Sequence, residues 1–368
     1  MKLSSTSANS RLNTWHTSKH HLTAAPLSNI NQSQTQPSVF NPSSLDLFSN
    51  FQSNQTQTSH KMAPLKTNAL RIPSIPTLHK KPYPAISPLR PELSQAGKTI
   101  LIAGGSTGIG YSIARAFVHA KASRVILLGR REAVVKEAAA KLAAEAADPT
   151  AITVTPLVCD ISDTSATAKL FDSFKKDNIY IDVLVLNAAV TGEIKTILDA
   201  GLASIWRAYE VNVRTLLDLT EHFHKQPTPA TGPRHKYLLN VSTSAIHNFE
   251  SEAGMVPAYG LTKNAGTLLI QQIAKDVSAD DMQMLSFHPG GVLTELGRNN
   301  GMTEDMYEWD DENLPGHFAV WLATPEAKFL HGRMLATHWD VDELKGEETK
   351  AKIAGQWNYL KLGIIGAQ

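Results

Sequence analysis

KTILIAGGSTGIGYSIARAFVHA, residues 98–120, is the stretch from which the rest of the chain can be read. Its apolar run Ile100 to Ala103 is short enough for a strand buried on both faces. The helical pattern GYSIARAFVHA follows, with Gly104, Gly108 and Gly110 lying between strand and helix. Glycine permits a tight turn, close approach of backbone to a phosphate, and close packing of helix on strand. The helix start beyond them offers free N–H groups and a partial positive charge to an anion. A strand, a glycine turn and a helix in that order separate a nucleotide-binding turn from other glycine clusters. Candidate phosphate contacts are therefore Gly104, Ser106, Gly108, Ile109 and Gly110.

Outward from this unit the chain keeps alternating. RVILLG, AITVTPLVC, IDVLVLNAA, KYLLNVS, MQMLSF and GRMLATH read as six further strands. Helical segments separate them, including one long helical region from about Ile197 to Lys225. Regular alternation implies βαβ units. The expected fold is α/β, a Rossmann-type doubly wound parallel sheet of about seven strands with helices on both faces. Ligands of such sheets bind outside the carboxyl ends of the strands. Residues 97–368 read as one domain, with a variable lid at about 295–315. Before it, residues 1–61 are dense in Ser, Thr, Asn and Gln and predict a disordered extension. Their acid-free, weakly basic start is also compatible with a transit peptide. Residues 62–96, with prolines every few positions, predict an extended arm laid over the core.

Composition narrows the function. With 35 basic and 34 acidic residues the formal charge is +1, which argues against nucleic acid as a partner. The lone Cys159 excludes an internal disulfide and a thiolate metal cluster. The histidines show no HExxH spacing, so no metal is expected. No apolar run approaches the roughly 20 residues of a membrane span. A cytoplasmic protein is expected, with an organelle as the alternative if residues 1–61 act in targeting.

The nucleotide is chosen at the end of the second strand. Gly129-Arg130-Arg131 stands there with no carboxylate before Glu132. Guanidinium groups suit a phosphate dianion, which favours NADP over NAD. After the third strand, Asp160 could accept from an adenine amine or could cap the next helix. Farther on, Tyr259 and Lys263 lie four apart in AYGLTKNAGTLLIQQIAKDV, a helix former by composition. That spacing puts phenol and ammonium on one face. A cation there is expected to lower the phenol pKa and suit it to exchanging a proton with an alcohol or carbonyl.

Taken together, these motifs resemble the short-chain dehydrogenase/reductase family, in the branch whose glycine motif is TGxxxGxG. Ala103 to Gly110 matches that motif, with Ala103 where the family has Thr. Asp160, beside Ile161, matches the adenine-contacting Asp. Leu186-Asn187-Ala188-Ala189 resembles NNAG, keeping Asn187 and Ala188. Asn212 matches the Asn that holds a relay water, and Tyr259 and Lys263 match YxxxK. Residues 289–294, with Pro289, Gly290, Val292 and Thr294, match the segment that wraps the nicotinamide. The flanks KPYPAISPLRPELS and WLATPEAKFLHGRMLATHWDVDEL look most like fungal members. The family's serine falls in Asn240-Val241-Ser242-Thr243-Ser244; register favours Thr243, with Ser242 as the alternative. Spacings of 17, 16 and 15 residues from Ser242, Thr243 and Ser244 to Tyr259 point to an insertion in HNFESEAGM.

The resemblance implies an NADP-dependent oxidoreductase moving hydride between nicotinamide and a carbonyl or alcohol. Tyr259 is the proton donor or acceptor and Lys263 its assistant, with Lys263 also holding the nicotinamide ribose. The alternatives are a non-catalytic NADP-binding regulator and an epimerase or dehydratase. A homo-oligomer, dimer or tetramer, is implied through the fourth and fifth helices. In the lid, Met302, Met306, Tyr307 and Trp309 are candidate apolar lining. The lid acids Glu304, Asp305, Glu308, Asp310, Asp311 and Glu312 disfavour an anionic substrate.

Overall fold

In the computed structural model the described residues are 70–230, 232, 234–247, 256–299 and 301–363. The expectations for residues 1–61, for the start of the arm and for the insertion after His247 lie outside them.

Strands β1 (Thr99–Ala103), β2 (Arg124–Gly129), β3 (Thr153–Val158), β4 (Val183–Leu186), β5 (Lys236–Val241), β6 (Met282–His288) and β7 (Met334–Ala336) form one sheet. Its order is β3-β2-β1-β4-β5-β6-β7, and every pairing is parallel. Successive strand residues point to opposite faces, and both faces are covered. Ile100, Ile102, Val125, Leu127, Val183 and Val185 join one core. Leu101, Ala103, Ile126, Leu128, Leu184 and Leu186 join the other. This double burial is why the strands read as continuous apolar runs.

Helices α1 (Gly108–His119), α2 (Glu132–Ala144) and α3 (Thr164–Lys176) follow the first three strands. α4 (Ile197–Tyr209) and α5 (Thr215–His224) lie between β4 and β5, and α6 (Pro257–Asp276) between β5 and β6. α1 and α2 cover the first core, and α3, α5 and α6 the second. The single long helical region expected from Ile197 to Lys225 is interrupted twice. Gly201 takes φ 73°, ψ 169° and breaks α4 near its start. Glu210–Arg214 forms a π-helical turn between α4 and α5.

After β6 come the short α7 (Glu295–Asn299), a loop, and the buried α8 (Leu314–Leu322). α9 (Val341–Leu344) and α10 (Glu347–Gly355) follow β7. Residues 70–96 run along the core with two single-turn helices, Pro84–Ile86 and Pro91–Leu93, each opened by its proline. Ile75, Ile86 and Leu93 of this arm are fully buried in the first core. Leu78 makes an antiparallel bridge with Trp339, and the Trp339 indole donates to the Leu70 carbonyl (2.8 Å). Thr77 bonds Glu343, and the Tyr83 hydroxyl donates to the Trp339 carbonyl (3.0 Å).

Candidate active site

The strand order reverses direction at β1 and β4, where a crevice opens between two oppositely running connections. The glycine turn sits there. Gly104 has φ 75° and packs so closely on Ala188 that a Cβ would lie 3.0 Å from it. A Cβ on Gly110 would collide with the Gly104 carbonyl. Asn187 closes the turn, its Nδ2 donating to the Gly104 oxygen (2.9 Å), while the Ala188 N–H donates to Ala103 (2.9 Å). Thr107, before α1, provides no side-chain cap, so the first N–H groups of the helix face the crevice unclaimed by it. The glycines let the turn pack tightly on Ala188, Asn187 and Thr294, and the start of α1 beyond it offers N–H donors suited to an anion.

On the side of β2, a Cβ on Gly129 would approach the Ser106 hydroxyl at 3.3 Å. Arg130 and Arg131 follow and are exposed. Arg131 reaches the Glu295 carboxylate (3.6 Å). The basic pair is thus met by an acid that arrives from the lid, far away in sequence. Of the two roles left open for Asp160, the helix cap falls to Asp163 instead. Asp163 is the N-cap of α3, accepting from the Ser165 and Ala166 N–H groups. Asp160 instead accepts from the Ser162 N–H (2.9 Å) and hydroxyl (2.8 Å). Burial opposes ionisation of Asp160, but those Ser162 bonds, with Arg130 and Arg207 beyond, hold its carboxyl below the usual range. Ile161 is partly buried against the second core.

Tyr259, Lys263 and Thr243 come together at the carboxyl end of β5. The Thr243 side chain stands near enough to the Tyr259 phenol to favour its ionised form, and its oxygen accepts from the Ala245 N–H (3.2 Å). Ser242 is elsewhere. It is buried, its hydroxyl 2.6 Å from that of Thr267 on α6. Thr243 is therefore the hydroxyl that faces the phenol. The Lys263 ammonium, 4% exposed, donates to the Val241 carbonyl (2.7 Å) and lies 5.9 Å from the Tyr259 ring centre.

The electrostatics differ from the expectation that Lys263 lowers the phenol pKa. Burial pushes Tyr259 up to about 12, with Thr243 offsetting part of the rise. Burial also pushes Lys263 down to about 8. Burial penalises both charged forms, and the ammonium is turned toward a carbonyl. Asn212, in the π-helical turn, is buried and heavily engaged. It donates to Val190 O (2.8 Å) and Thr262 Oγ1 (2.9 Å) and accepts from the Val190 N–H (2.9 Å). Its two amide hydrogens are committed to protein, so its side chain clamps the loop after β4 to α6.

Pro289 and Gly290 leave β6 with Gly290 at φ 87°. Val292 follows, and Thr294 caps α7, accepting from the Gly297 N–H (3.2 Å). A Cβ on Gly108 would lie 3.1 Å from the Thr294 methyl, so the glycine turn and this segment nearly touch. In the lid, Met302 sits against Gly297, Met306 is exposed, and the Tyr307 and Trp309 rings meet edge to face. The lid acids are not one solvated run: Asp310 is buried, bonded to the Gly291 N–H (2.6 Å) and His338 (2.7 Å). Asp310, His338 and Glu295 escape a reading of the sequence because nothing local distinguishes them from their neighbours. No group of three or more His, Cys, Asp or Glu is placed to hold a metal among the described residues, nor is any helix there long and apolar enough to cross a membrane.

The family model "short chain dehydrogenase" matches residues 98–305. A short chain dehydrogenase/reductase of Aspergillus aculeatus, AacuD, is 34% identical over 289 residues, covering 78% of this chain and 95% of that protein. One from Claviceps purpurea is 32% identical over 310 residues, covering 83% of this chain and all (100%) of that protein. Among solved structures, Pseudomonas aeruginosa RhlG with NADP superposes at TM-score 0.59 and 20% identity, covering 67% of this chain and 97% of that one. A 7α-hydroxysteroid dehydrogenase complexed with NADH gives 0.58 and 21%, covering 67% of this chain and 94% of that one.

Proposed function

The chain belongs to the short-chain dehydrogenase/reductase family and is an oxidoreductase that uses a nicotinamide cofactor; on that premise we propose that it transfers hydride between NADP and a carbonyl or alcohol carbon. The observation that carries this reading is the convergence of Tyr259, Thr243 and Lys263 beside the glycine cradle.

Bound there, the cofactor supplies or accepts the hydride. Gly104, Ser106, Gly108, Ile109 and Gly110 would hold its pyrophosphate, and Arg130 and Arg131 a 2′-phosphate. Asp160, Ile161, Asn187 and Ala188 would line the adenosine half, and Pro289, Gly290, Val292 and Thr294 the nicotinamide half. In reduction Thr243 donates a hydrogen bond to the carbonyl oxygen and fixes it, while Tyr259 delivers the proton. A phenol with its pKa held near 12 is protonated at neutral pH and so can deliver a proton in reduction. Lys263, its ammonium anchored on the Val241 carbonyl, would hold the nicotinamide ribose. Asn212 acts by fixing Val190 and Thr262 beside the tyrosine. No observation favours the regulator or the epimerase.

We also read the molecule as a homo-oligomer, dimer or tetramer. Leu198, Leu202 and Trp206 on α4, Leu217 on α5, and Leu261 and Leu268 on α6 are all exposed. So many large apolar groups on three neighbouring helices suit a covered surface.

The decisive test is Tyr259→Phe, measured with NADPH and NADH across a panel of ketones and alcohols. Turnover falls at least about 1,000-fold while NADPH binding stays within about threefold. Unchanged turnover in that variant sinks the assignment.

A further inference from the structure

Three parts of the molecule that are remote in sequence meet behind the segment 289–294: the end of β7, the lid and the arm. Asp310 is their junction. Its side chain is 3% exposed, and its Oδ2 accepts from the Gly291 N–H at 2.6 Å. The same oxygen lies 2.7 Å from Nε2 of His338, a residue only 1% exposed. The main chain makes the contact reciprocal, the Asp310 N–H donating to the Gly291 carbonyl (2.8 Å). Gly290 is required beside it, because a Cβ there would lie 2.7 Å from Asp310 Oδ2 and 3.2 Å from Thr337 Oγ1. The other carboxylate oxygen, Oδ1, is buried and makes no hydrogen bond.

The junction is held from outside by the arm. The His79 N–H donates to the His338 carbonyl (2.7 Å), and the Asp311 N–H donates to the Lys80 carbonyl (2.8 Å). The Lys80 ammonium adds an ion pair to Glu308 (2.8 Å). The lid is thereby tied on one side to the arm and on the other to Gly291. Three residues beyond Gly291 stands Thr294, whose methyl abuts Gly108 of the glycine turn. Gly291 and Thr294 thus belong to one short loop that runs from the Asp310 junction to the glycine turn.

We propose that Asp310 is a positioning residue for hydride transfer: clamped between His338 and the arm, its buried carboxylate sets the Gly291 peptide and with it the segment that would wrap the nicotinamide. This deepens the cofactor reading above and rests on it for its catalytic consequence. A misplacement of about 1 Å at such a segment costs on the order of 100-fold in rate.

The experiment compares Asp310→Ala and Asp310→Asn in the full chain, with amide exchange, NADPH binding by fluorescence and steady-state kinetics. Asparagine keeps one oxygen for Gly291 and His338 and puts its NH2 where Oδ1 makes no bond. Asp310→Ala raises exchange in a peptide spanning 289–299 at least about tenfold while the β5 peptide stays at the wild-type rate. It also weakens NADPH binding about tenfold and lowers kcat about 100-fold. Asp310→Asn restores each to within about threefold of wild type. A role confined to overall stability predicts lower Tm with wild-type exchange in 289–299 and wild-type NADPH affinity, and that result overturns the proposal. So does Asp310→Asn behaving like the alanine variant. If Asp310→Ala does not fold, His338→Ala carries the comparison: faster exchange in 289–299 supports the proposal and wild-type exchange overturns it. If wild-type protein binds neither NADPH nor NADH, the cofactor reading fails, while the exchange data still decide what Asp310 holds.

Discussion

Ser242 and Thr243 are adjacent hydroxyls with different surroundings, and the difference can be measured. Thr243→Val removes the donor beside Tyr259 and is expected to lower kcat/KM about 100-fold, the usual cost of one such donor. Ser242→Ala leaves kcat/KM within about threefold but unpairs the Thr267 hydroxyl, costing about 1–2 kcal/mol by urea denaturation. The reverse ranking would move the catalytic hydroxyl to Ser242. Lys263 sets the pH response. Its pKa is pushed down to about 8, so the ammonium is lost as pH rises through that value. The charged donor proposed to hold the nicotinamide ribose is then lost, and kcat/KM falls about tenfold per pH unit above about 8. A profile flat to pH 10 contradicts the assignment. The residue types and spacings of this site were legible in the sequence, because a glycine turn and a YxxxK pair are local patterns. Register already favours Thr243 over Ser242, but the physical reason, that Ser242 is buried against Thr267 of α6, is not a local pattern. Nor was the direction of the phenol's shift, which is set by burial that spacing does not encode.

At the scale of the element, the strands were readable because burial on both faces leaves an unbroken apolar run. Even β7, three residues long, announces itself in GRMLATH. The breaks in the long helical region were hidden by its helix-forming composition. Only Gly201 carried a local cue, and the π-helical turn carried none, because its stabilising bonds run from Asn212 to Val190 and Thr262. Asn212→Ala is expected to release that loop, lowering kcat about tenfold or more while costing about 1–3 kcal/mol of stability. Activity and Tm both at wild-type values would show that the turn does not need the amide. In α1 the glycine turn makes a sharper demand. Gly110→Ala drives a methyl into the Gly104 carbonyl, so NADPH binding by fluorescence titration is expected to be lost even where folded protein is recovered. Retained affinity would mean that the turn relaxes without cost to the cradle.

For the whole molecule, the exposed side chains of α4–α6 predict that light scattering reports a dimer or tetramer. A Leu202→Glu, Trp206→Glu variant then elutes at the mass of one chain. A wild-type protein already at that mass would refute the assembly. The arm speaks to a different matter, the order of events as the chain is made. Ser74 bonds Tyr359 across 285 positions (2.6 Å), Leu70 receives the indole of Trp339 across 269, and Thr77 meets Glu343 across 266. Residues 70–83 leave the ribosome before any of those partners exists. The sheet from β1 to β6 can assemble behind them, but their own apolar side chains have nothing to cover until the last tenth of the chain emerges. Contacts of such long sequence separation form slowly and late. Pulse-labelled exchange during refolding should therefore show residues 70–83 gaining protection after β1 and β4. The nascent protein spends its synthesis with Leu70, Ser74 and Thr77 unpaired, a window in which a chaperone can grip this arm.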